Sequence, residues 1–202
     1  MNLKYMTKAE AKQDKNYFIE RANKIRETAK TDGFSIQFKL VGSSKRNMIL
    51  RNENDEIAHY DYDYQLWIDK NKKAKTPKEI KEYFLDLFRE QFPKPDWKVE
   101  DSTAAITIKN KVDKNDYDVA IIETNKETSK PNILKHYKEN NQYTWEEIRD
   151  YENHREELKT IKGSQDWNEL RDKYKNKKEN NEASIESYLL FIEAVHDVAQ
   201  KQ

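Results

Sequence analysis

Residues 40–69, LVGSSKRNMILRNENDEIAHYDYDYQLWID, together with residues 115–122, NDYDVAII, decide the fold that we expect. An apolar residue stands at every second position before and into the first stretch, at Phe34, Ile36, Phe38 and Leu40. This period of two predicts a strand with one buried face, ending at Val41. The Gly-Ser-Ser turn that begins at Gly42 can direct backbone N–H groups toward an anion such as a phosphate oxygen.

A second predicted strand, residues 61–68, carries Asp61 and Asp63. Because side chains alternate across a strand, the two carboxylates share a face, with Cα atoms roughly 6–7 Å apart. Such groups can hold two metal ions about 3.5–4 Å apart. Acidic pairs are common on solvent-facing strands, but Asp118 lies in an otherwise apolar strand, where we expect it to be buried and its charge to need a reason. The three carboxylates predict a divalent-metal site beside a phosphate cradle.

These residues resemble the active-site signature of the polymerase-β-like nucleotidyltransferases. Within that superfamily the sequence is most similar to the group containing oligoadenylate synthetase, cyclic GMP-AMP synthase and their bacterial relatives. Gly42-Ser43-Ser44-Lys45-Arg46 resembles the GS-x-x-R opening of that group, and Ser187-Tyr188 resembles its Ser-Tyr pair at the start of a late helix. Seventeen residues separate Ser43 from Asp61, which is more than usual in the family, and residues 51–59 form a polar insertion.

The resemblance implies a metal-dependent reaction in which a nucleoside monophosphate passes from an NTP to a hydroxyl acceptor and pyrophosphate is released. It implies that Mg²⁺ or Mn²⁺ is bound by three catalytic carboxylates, Asp61, Asp63 and Asp118. It also implies a group of nucleotide contacts, Gly42, Ser43, Lys173, Ser187 and Tyr188. The acceptor stays open between a second nucleotide, an RNA 3′ end and another hydroxyl compound.

Local patterns predict an α+β fold, with a mixed sheet in residues 1–124 and a helical lobe in residues 125–202, and the resemblance implies that the mixed sheet is a nucleotidyltransferase core. Capping boxes at Thr7-Lys8-Ala9-Glu10 and Thr76-Pro77-Lys78-Glu79 predict the two helices that cover the sheet. Three further strands are expected at residues 97–100, 104–109 and 116–123. After residue 125 we expect helices only, at residues 132–139, from 144 to about 161, at 167–178 and at 184–202.

The composition excludes several classes of protein. The 38 basic and 38 acidic residues cancel, which argues against a nucleic-acid coat or a membrane-surface protein. No apolar run approaches the roughly 20 residues of a membrane span. The absence of cysteine excludes disulfides and thiolate catalysis and fits a cytoplasmic setting. Only three glycines are present, without the spacing of a Walker loop or a dinucleotide fingerprint.

One alternative is a catalytically degenerate module on the same fold that binds nucleotides, RNA or a protein. Loss of a carboxylate would favour that alternative, but all three are present. His59 lies two residues before Asp61 and could face the metals, although a histidine at the entry of a strand more often has no such role. The sequence leaves open the base preference, a linear or cyclic product, any activating ligand and the oligomeric state.

Overall fold

The structure, a computed structural model, describes residues 2–52, 60–69, 75–113, 115–124, 127–148, 152–162, 166–181, 185 and 187–200. Within these ranges the chain forms nine strands and six helices. In chain order they are β1 (Leu3–Tyr5), α1 (Lys8–Thr31), β2 (Ser35–Leu40), α2 (Gly42–Lys45), β3 (Leu50–Asn52), β4 (Tyr60–Asp69), α3 (Pro77–Gln91), β5 (Trp97–Asp101), β6 (Ile106–Asn110), β7 (Asn115–Thr124), β8 (Pro131–Tyr137), β9 (Gln142–Glu147), α4 (Glu152–Lys162), α5 (Trp167–Glu179) and α6 (Ser187–Ala199). The predicted α+β class is confirmed.

A seven-stranded sheet carries the candidate site. Its order is β2-β4-β7-β6-β5, and the hairpin of β8 and β9 continues beside the last residues of β7. β4 and β7 pair in parallel, whereas the other pairs in this sheet are antiparallel. β7 therefore has neighbours on both edges, and most of its side chains are buried, which explains why its sequence is so apolar.

Helices α1 and α3 cover one face of this sheet. Both begin at the predicted capping boxes, in which Thr7 and Thr76 accept a hydrogen bond from the backbone of the third helical residue. The ring of Phe18 on α1 stacks on Tyr64 of β4 with centroids 3.9 Å apart, and Phe88 of α3 joins the same cluster. The tyrosines of β4 thus enter the core, so the residues that alternate with them point to the opposite face.

The segment after residue 125 differs from its prediction. The helix expected at residues 132–139 is wrong, and the helix expected from residue 144 begins only at Glu152, because β8 and β9 form a hairpin before it. Two of the inward residues of β8, Asn132 and His136, are polar, so the alternation was hidden. Thr144 is followed three residues later by a glutamate and imitates a capping box, but its hydroxyl donates to Glu146 on the same strand.

The chain divides into two compact units. The sheet unit contains the large sheet, in Met6–Ile49 and Ile57–Ile148, and the helical unit contains the C-terminal helices with two short segments, in Met1–Tyr5, Leu50–Glu56 and Arg149–Gln202. β1 and β3 pair within the helical unit, where the hydroxyl of Tyr5 donates to the carbonyl of Arg171. The boundary expected at residue 124 precedes the β8–β9 hairpin, which the compact units assign to the sheet.

Two sequence features, His59 and most of the polar insertion at residues 51–59, lie outside the described residues. In the part of the chain that the structure describes, no helix combines the length and the apolar character needed to cross a membrane.

Candidate active site

The parallel pairing of β4 and β7 aligns two pairs of aspartates. Asp61 lies level with Asp116, and Asp63 lies level with Asp118. Level residues of paired strands share a face, and Asp61 and Asp63 alternate with the tyrosines that enter the core. Four carboxylates therefore project from the face of the sheet opposite α1 and α3.

The carboxyl group of Asp63 has a raised pKa. Partial burial raises its pKa from 3.8 to about 6, the charges of Asp118 and then Asp61 add to that rise, and Arg46 opposes it. The three carboxylates predicted from the sequence are thus close enough to repel one another. Asp61 itself is exposed, so the three groups form an open cluster with Asp63 at its most buried point.

The buried acidic residue of β7 is Asp116, which the sequence analysis did not single out. Asp116 is 8% exposed and accepts a hydrogen bond from the backbone N–H of Asn110 at 2.8 Å. The expectation that Asp118 is buried is wrong, because its side chain is partly exposed. Its apolar neighbours along the strand face the helices, whereas the Asp118 side chain lies on the opposite face of the sheet. A second Asp-x-Asp at residues 116–118 was visible in the sequence, but only the register places Asp118 level with Asp63.

Gly42 lets the chain pass close to Asp63. Its φ of +62° lies in the left-handed region, and a Cβ at this position would stand 2.2 Å from Oδ2 of Asp63. The backbone N–H of Val41 donates to the carbonyl of Asp63 at 2.9 Å, which joins the turn to β4 at this point. We expected this glycine to make room for a phosphate. Its close approach to the Asp63 carboxylate is by itself enough to explain why a residue without a side chain is needed here.

The turn after Gly42 is fixed by polar contacts on several sides. Ser44 is fully buried, and its hydroxyl donates to the backbone carbonyl three residues earlier at 2.9 Å. Lys15 of α1 donates to the carbonyl of Ser44 at 3.1 Å, and Arg46 donates to the carbonyl of Gly42 at 2.9 Å. Ser43 is partly exposed on the same turn. The turn is therefore a rigid support that also brings the positive charge of Arg46 near Asp63.

Strand β6 adds polar groups that sequence reasoning missed. Thr107 lies level with Asp118 and donates from Oγ1 to Oδ1 of that carboxylate at 2.5 Å. A hydrogen bond with Glu100 raises the pKa of Lys109, and the charges of Asp116 and Asp118 add smaller contributions. The alternation of residues 106–110 indicated that Thr107 and Lys109 face away from the core, but only the strand order sets them beside β7.

The other predicted nucleotide contacts lie in the helical unit. Lys173 on α5 pairs with Asp197 at 3.9 Å. Ser187 begins α6, and its hydroxyl accepts a hydrogen bond from Lys178 at 2.6 Å. The side chain of Tyr188 is 40% exposed. The part of Lys173, Ser187 and Tyr188 in nucleotide binding stays a prediction.

The donor chemistry of the cluster suits a hard divalent cation. Carboxylate oxygens are the ligands that Mg²⁺ and Mn²⁺ prefer, and a cation among them would relieve the repulsion that raises the pKa of Asp63. Among the described residues, no three acidic, histidine or cysteine side chains are already gathered closely enough to enclose an ion. Because Mg²⁺ is usually bound through one or two carboxylates together with waters and substrate phosphates, the residues fit a cation chemically without enclosing it.

Comparison by sequence finds no family model and no curated protein that matches this chain. Comparison by structure matches it to Vibrio cholerae DncV, a cyclic AMP-GMP synthase. The GTP-bound form of DncV gives a TM-score of 0.62 and 16% identity over 82% of this chain. The chain has the fold of DncV. The 3′-deoxy ATP-bound form of DncV agrees, with a TM-score of 0.61 and 16% identity over 82% of this chain.

The match to DncV confirms, at the level of the fold, the family resemblance stated for the sequence. A third structure, a DncV mutant in complex with ATP and GTP, gives a TM-score of 0.61 and 14% identity over 82% of this chain. This chain spans 45–48% of the length of those three DncV chains. The match to DncV therefore shows the fold of this chain.

Proposed function

We propose that this protein is a divalent-metal-dependent nucleotidyltransferase that moves a nucleoside monophosphate from an NTP to a hydroxyl acceptor and releases pyrophosphate. The observation that carries the proposal is the level pairing of Asp63 with Asp118, with Asp61 on the same face. DncV, whose fold the chain shares, has structures with GTP and with 3′-deoxy ATP. The carboxylate arrangement and the fold support the same class of reaction.

Each carboxylate has a separate role in this proposal. Asp61 and Asp63 would hold both metal ions, and Asp118 would complete the site of the ion that activates the attacking hydroxyl. When bound, the divalent ions neutralise the triphosphate, lower the pKa of the hydroxyl and stabilise the charge on the phosphorus oxygens. Because the pKa of Asp63 is raised to about 6, we expect cation binding to weaken below that pH, where Asp63 is protonated.

The nucleotide contacts that we propose involve residues of the turn after Gly42 and residues of the helical unit. Gly42 and Ser43 stand in the first turn of α2, whose N–H groups have no acceptor within the helix and can donate to the terminal phosphates. We assign further phosphate and base contacts to Lys173, Ser187 and Tyr188. The chemistry would thus belong to the predicted core, residues 1–124, and part of the nucleotide recognition to residues 125–202.

A second nucleotide is the first acceptor to test, since one DncV structure contains the linear intermediate pppA(3′,5′)pG. An RNA 3′ end, a protein side chain and a small hydroxyl compound are the further acceptors that the proposal admits. The cytoplasm supplies NTPs and Mg²⁺ and keeps thiols reduced, in keeping with a sequence that has no cysteine.

The decisive experiment incubates the purified protein with each radiolabelled NTP and Mg²⁺ or Mn²⁺, with and without RNA. Pyrophosphate release is measured and the products are resolved. Asp63→Asn keeps the shape of the side chain but removes one charge from between two cations, so release should fall by about 10²–10³-fold. NTP binding should weaken less than turnover, because the triphosphate keeps its contacts with the turn.

Asp69→Asn is the matched control for that substitution. Asp69 lies on the same face of the same strand, six positions along, and is exposed. Its substitution should leave pyrophosphate release unchanged. Activity that survives in Asp63→Asn would contradict the carboxylate assignment. No activity in the wild-type protein with any NTP would instead favour the degenerate binding module.

Metal binding can be tested without turnover. Because three carboxylates repel one another until a cation binds, millimolar Mg²⁺ or Mn²⁺ should raise the melting temperature of the wild-type protein. The rise should be smaller in Asp63→Asn and unchanged in Asp69→Asn. A wild-type melting temperature that does not respond to metal, with or without NTP, would count against the proposal.

A further inference from the structure

Asp118 has a hydrogen-bond partner on the neighbouring strand that the proposed chemistry does not use. Thr107 of β6 lies level with Asp118, and its hydroxyl donates to Oδ1 of the carboxylate at 2.5 Å. Hydrogen bonds to an ionised acceptor are short and about twice as strong as those between neutral groups. The bond therefore restricts rotation of the Asp118 carboxylate and occupies one acceptor site of its Oδ1.

Thr107 is in turn oriented by Ser102. Their hydroxyl oxygens are 2.8 Å apart. A hydroxyl carries one proton, and that of Thr107 is given to Asp118, so Ser102 must be the donor between the two. The bonds form a directed chain from Ser102 through Thr107 to the carboxylate.

A buried lysine fixes the turn that carries Ser102. Lys81 of α3 is fully buried, and its ammonium group donates to the carbonyls of Ser102 at 3.1 Å and Ala105 at 2.9 Å. Its third neighbour is the carboxylate of Asp101 at 3.3 Å. Two carbonyl acceptors and a neighbouring carboxylate thus offset the cost of burying the charge. A shift of the β5–β6 turn would leave a buried ammonium group without partners, so Ser102 has a fixed position.

We propose that Thr107 and Ser102 are positioning residues that hold the Asp118 carboxylate in the orientation in which it binds the divalent cation. The inference rests on the proposed function, since it takes Asp118 as a metal ligand. Partners of ligating carboxylates orient them, and their loss typically costs about 10–100-fold in metal affinity or activity. A neutral hydroxyl suits this task, because a lysine or arginine there would hold the carboxylate but repel the cation.

The test compares removal of the hydroxyl with its retention. Thr107→Val removes the hydroxyl while keeping the shape, Thr107→Ser keeps the hydroxyl, and Ser102→Ala removes the second link. Thr144→Val is the matched control, because Thr144 is also a partly exposed strand threonine whose hydroxyl donates to a carboxylate, that of Glu146 at 3.3 Å. Binding of Mn²⁺ without nucleotide is measured by the loss of the free-ion electron paramagnetic resonance signal. Melting in EDTA reports folding, and pyrophosphate release reports turnover.

Thr107→Val should weaken Mn²⁺ binding about tenfold and lower pyrophosphate release by at least as much. Ser102→Ala should weaken Mn²⁺ binding about threefold, and Thr107→Ser should recover most of the loss seen with valine. Thr144→Val should bind Mn²⁺ as the wild-type protein does. If Thr107→Val does not fold, Ser102→Ala and Thr107→Ser still decide the matter through their Mn²⁺ affinities.

Two results would overturn the inference and leave the proposed function standing. One is wild-type Mn²⁺ affinity and turnover in a folded Thr107→Val protein while Asp118→Asn loses both. The other is an equal loss in Thr107→Val and Thr107→Ser, which would point to packing and away from the hydroxyl. Conversely, Mn²⁺ affinities that follow the expected order in a protein that releases no pyrophosphate would support the positioning role and overturn only the proposed function. A wild-type protein that binds no Mn²⁺ would overturn both.

Discussion

On one side of β4, the hydroxyls of Tyr60 and Tyr62 both donate to Oδ2 of Asp14 at 2.9 Å; on the other side, Asp63 stands among like charges. Burial raises the pKa of Tyr62, and the charge of Asp14 raises it further, so this phenol keeps its proton and remains a donor. Asp14 is thus supplied with partners, whereas Asp63 is partly buried beside groups that oppose its ionisation.

This difference between the two faces indicates that the face carrying Asp63 is not arranged for stability alone. On the core face, Asp14 satisfies the hydroxyls of Tyr60 and Tyr62, as is usual for buried polar groups in a stable fold, whereas the buried hydroxyl of Tyr64 has no hydrogen-bond partner among the described residues. The opposite face keeps carboxylates together at a cost to the fold, and perturbed titratable groups of this kind are typical of functional sites. The following predictions test the contrast, from the largest expected effect to the smallest.

The largest expected effect is on pyrophosphate release, which should differ between substitutions of the two aspartates of β7. Asp118→Asn should lower pyrophosphate release by about 10²–10³-fold, because it removes a charge from the proposed cation site. Asp116→Asn should lower release by less than about tenfold, because Asp116 is engaged by the backbone of Asn110 and an amide oxygen can still accept that bond. Parallel assays of the two variants measure the difference. Equal losses would mean that the level pairing with Asp63 does not select the catalytic residue.

The next effect concerns two glycines that share a positive φ. Gly33→Ala should cost about 1 kcal/mol of stability and no activity, because a Cβ at Gly33 meets no atom within 4 Å. Gly42→Ala should cost more stability than Gly33→Ala and in addition lower turnover by at least about tenfold, because its Cβ would displace the Asp63 carboxylate. Denaturant unfolding and pyrophosphate release measure the two quantities. Equal turnover in both variants would remove the contact with Asp63 from the explanation.

Replacing an aspartate by asparagine should change the free energy of unfolding in opposite directions on the two faces of β4. Asp14→Asn should lower the free energy of unfolding by about 1 kcal/mol, because it weakens two charge-assisted hydrogen bonds from tyrosines. Asp63→Asn should raise it by about 1 kcal/mol at pH 7.5 in EDTA, because a repelled charge is removed. Urea unfolding of the three proteins provides the comparison. A loss of stability in Asp63→Asn would show that its charge is compensated in the fold.

The smallest effect is the pH dependence of the stability gained by Asp63→Asn. Asp63 has a folded pKa of about 6 against an ordinary value of 3.8, so the native state binds the proton more tightly than the unfolded state. Wild-type stability should therefore fall, through this group, as the pH rises from about 4 to about 6, and then stay level. The advantage of Asp63→Asn should be absent near pH 4 and complete above about pH 6.5. An advantage of the same size at both ends would contradict the raised pKa.

The sequence predicted the parts of the site that depend on neighbours along the chain. The alternation of tyrosine and aspartate in β4 placed Asp61 and Asp63 on one face, and the capping boxes placed the starts of α1 and α3. It failed at β8, where buried Asn132 and His136 interrupt the apolar alternation. His136 can be buried only because Asp101, distant in sequence, contacts its Nδ1 at 2.7 Å and Tyr143 stacks on its ring.

The sequence by itself determined the helix starts, the two-sided character of β4 and the presence of three candidate carboxylates, because these follow from local backbone periodicity and residue chemistry. Only the tertiary structure decided that Asp63 lies level with Asp118, that Thr107 contacts Asp118, and that Gly42 is required by Asp63. These are matters of strand order and register, which depend on packing between segments far apart in the chain. A local pattern gives the direction in which a side chain points, and the packed sheet supplies the neighbours that perturb its charge.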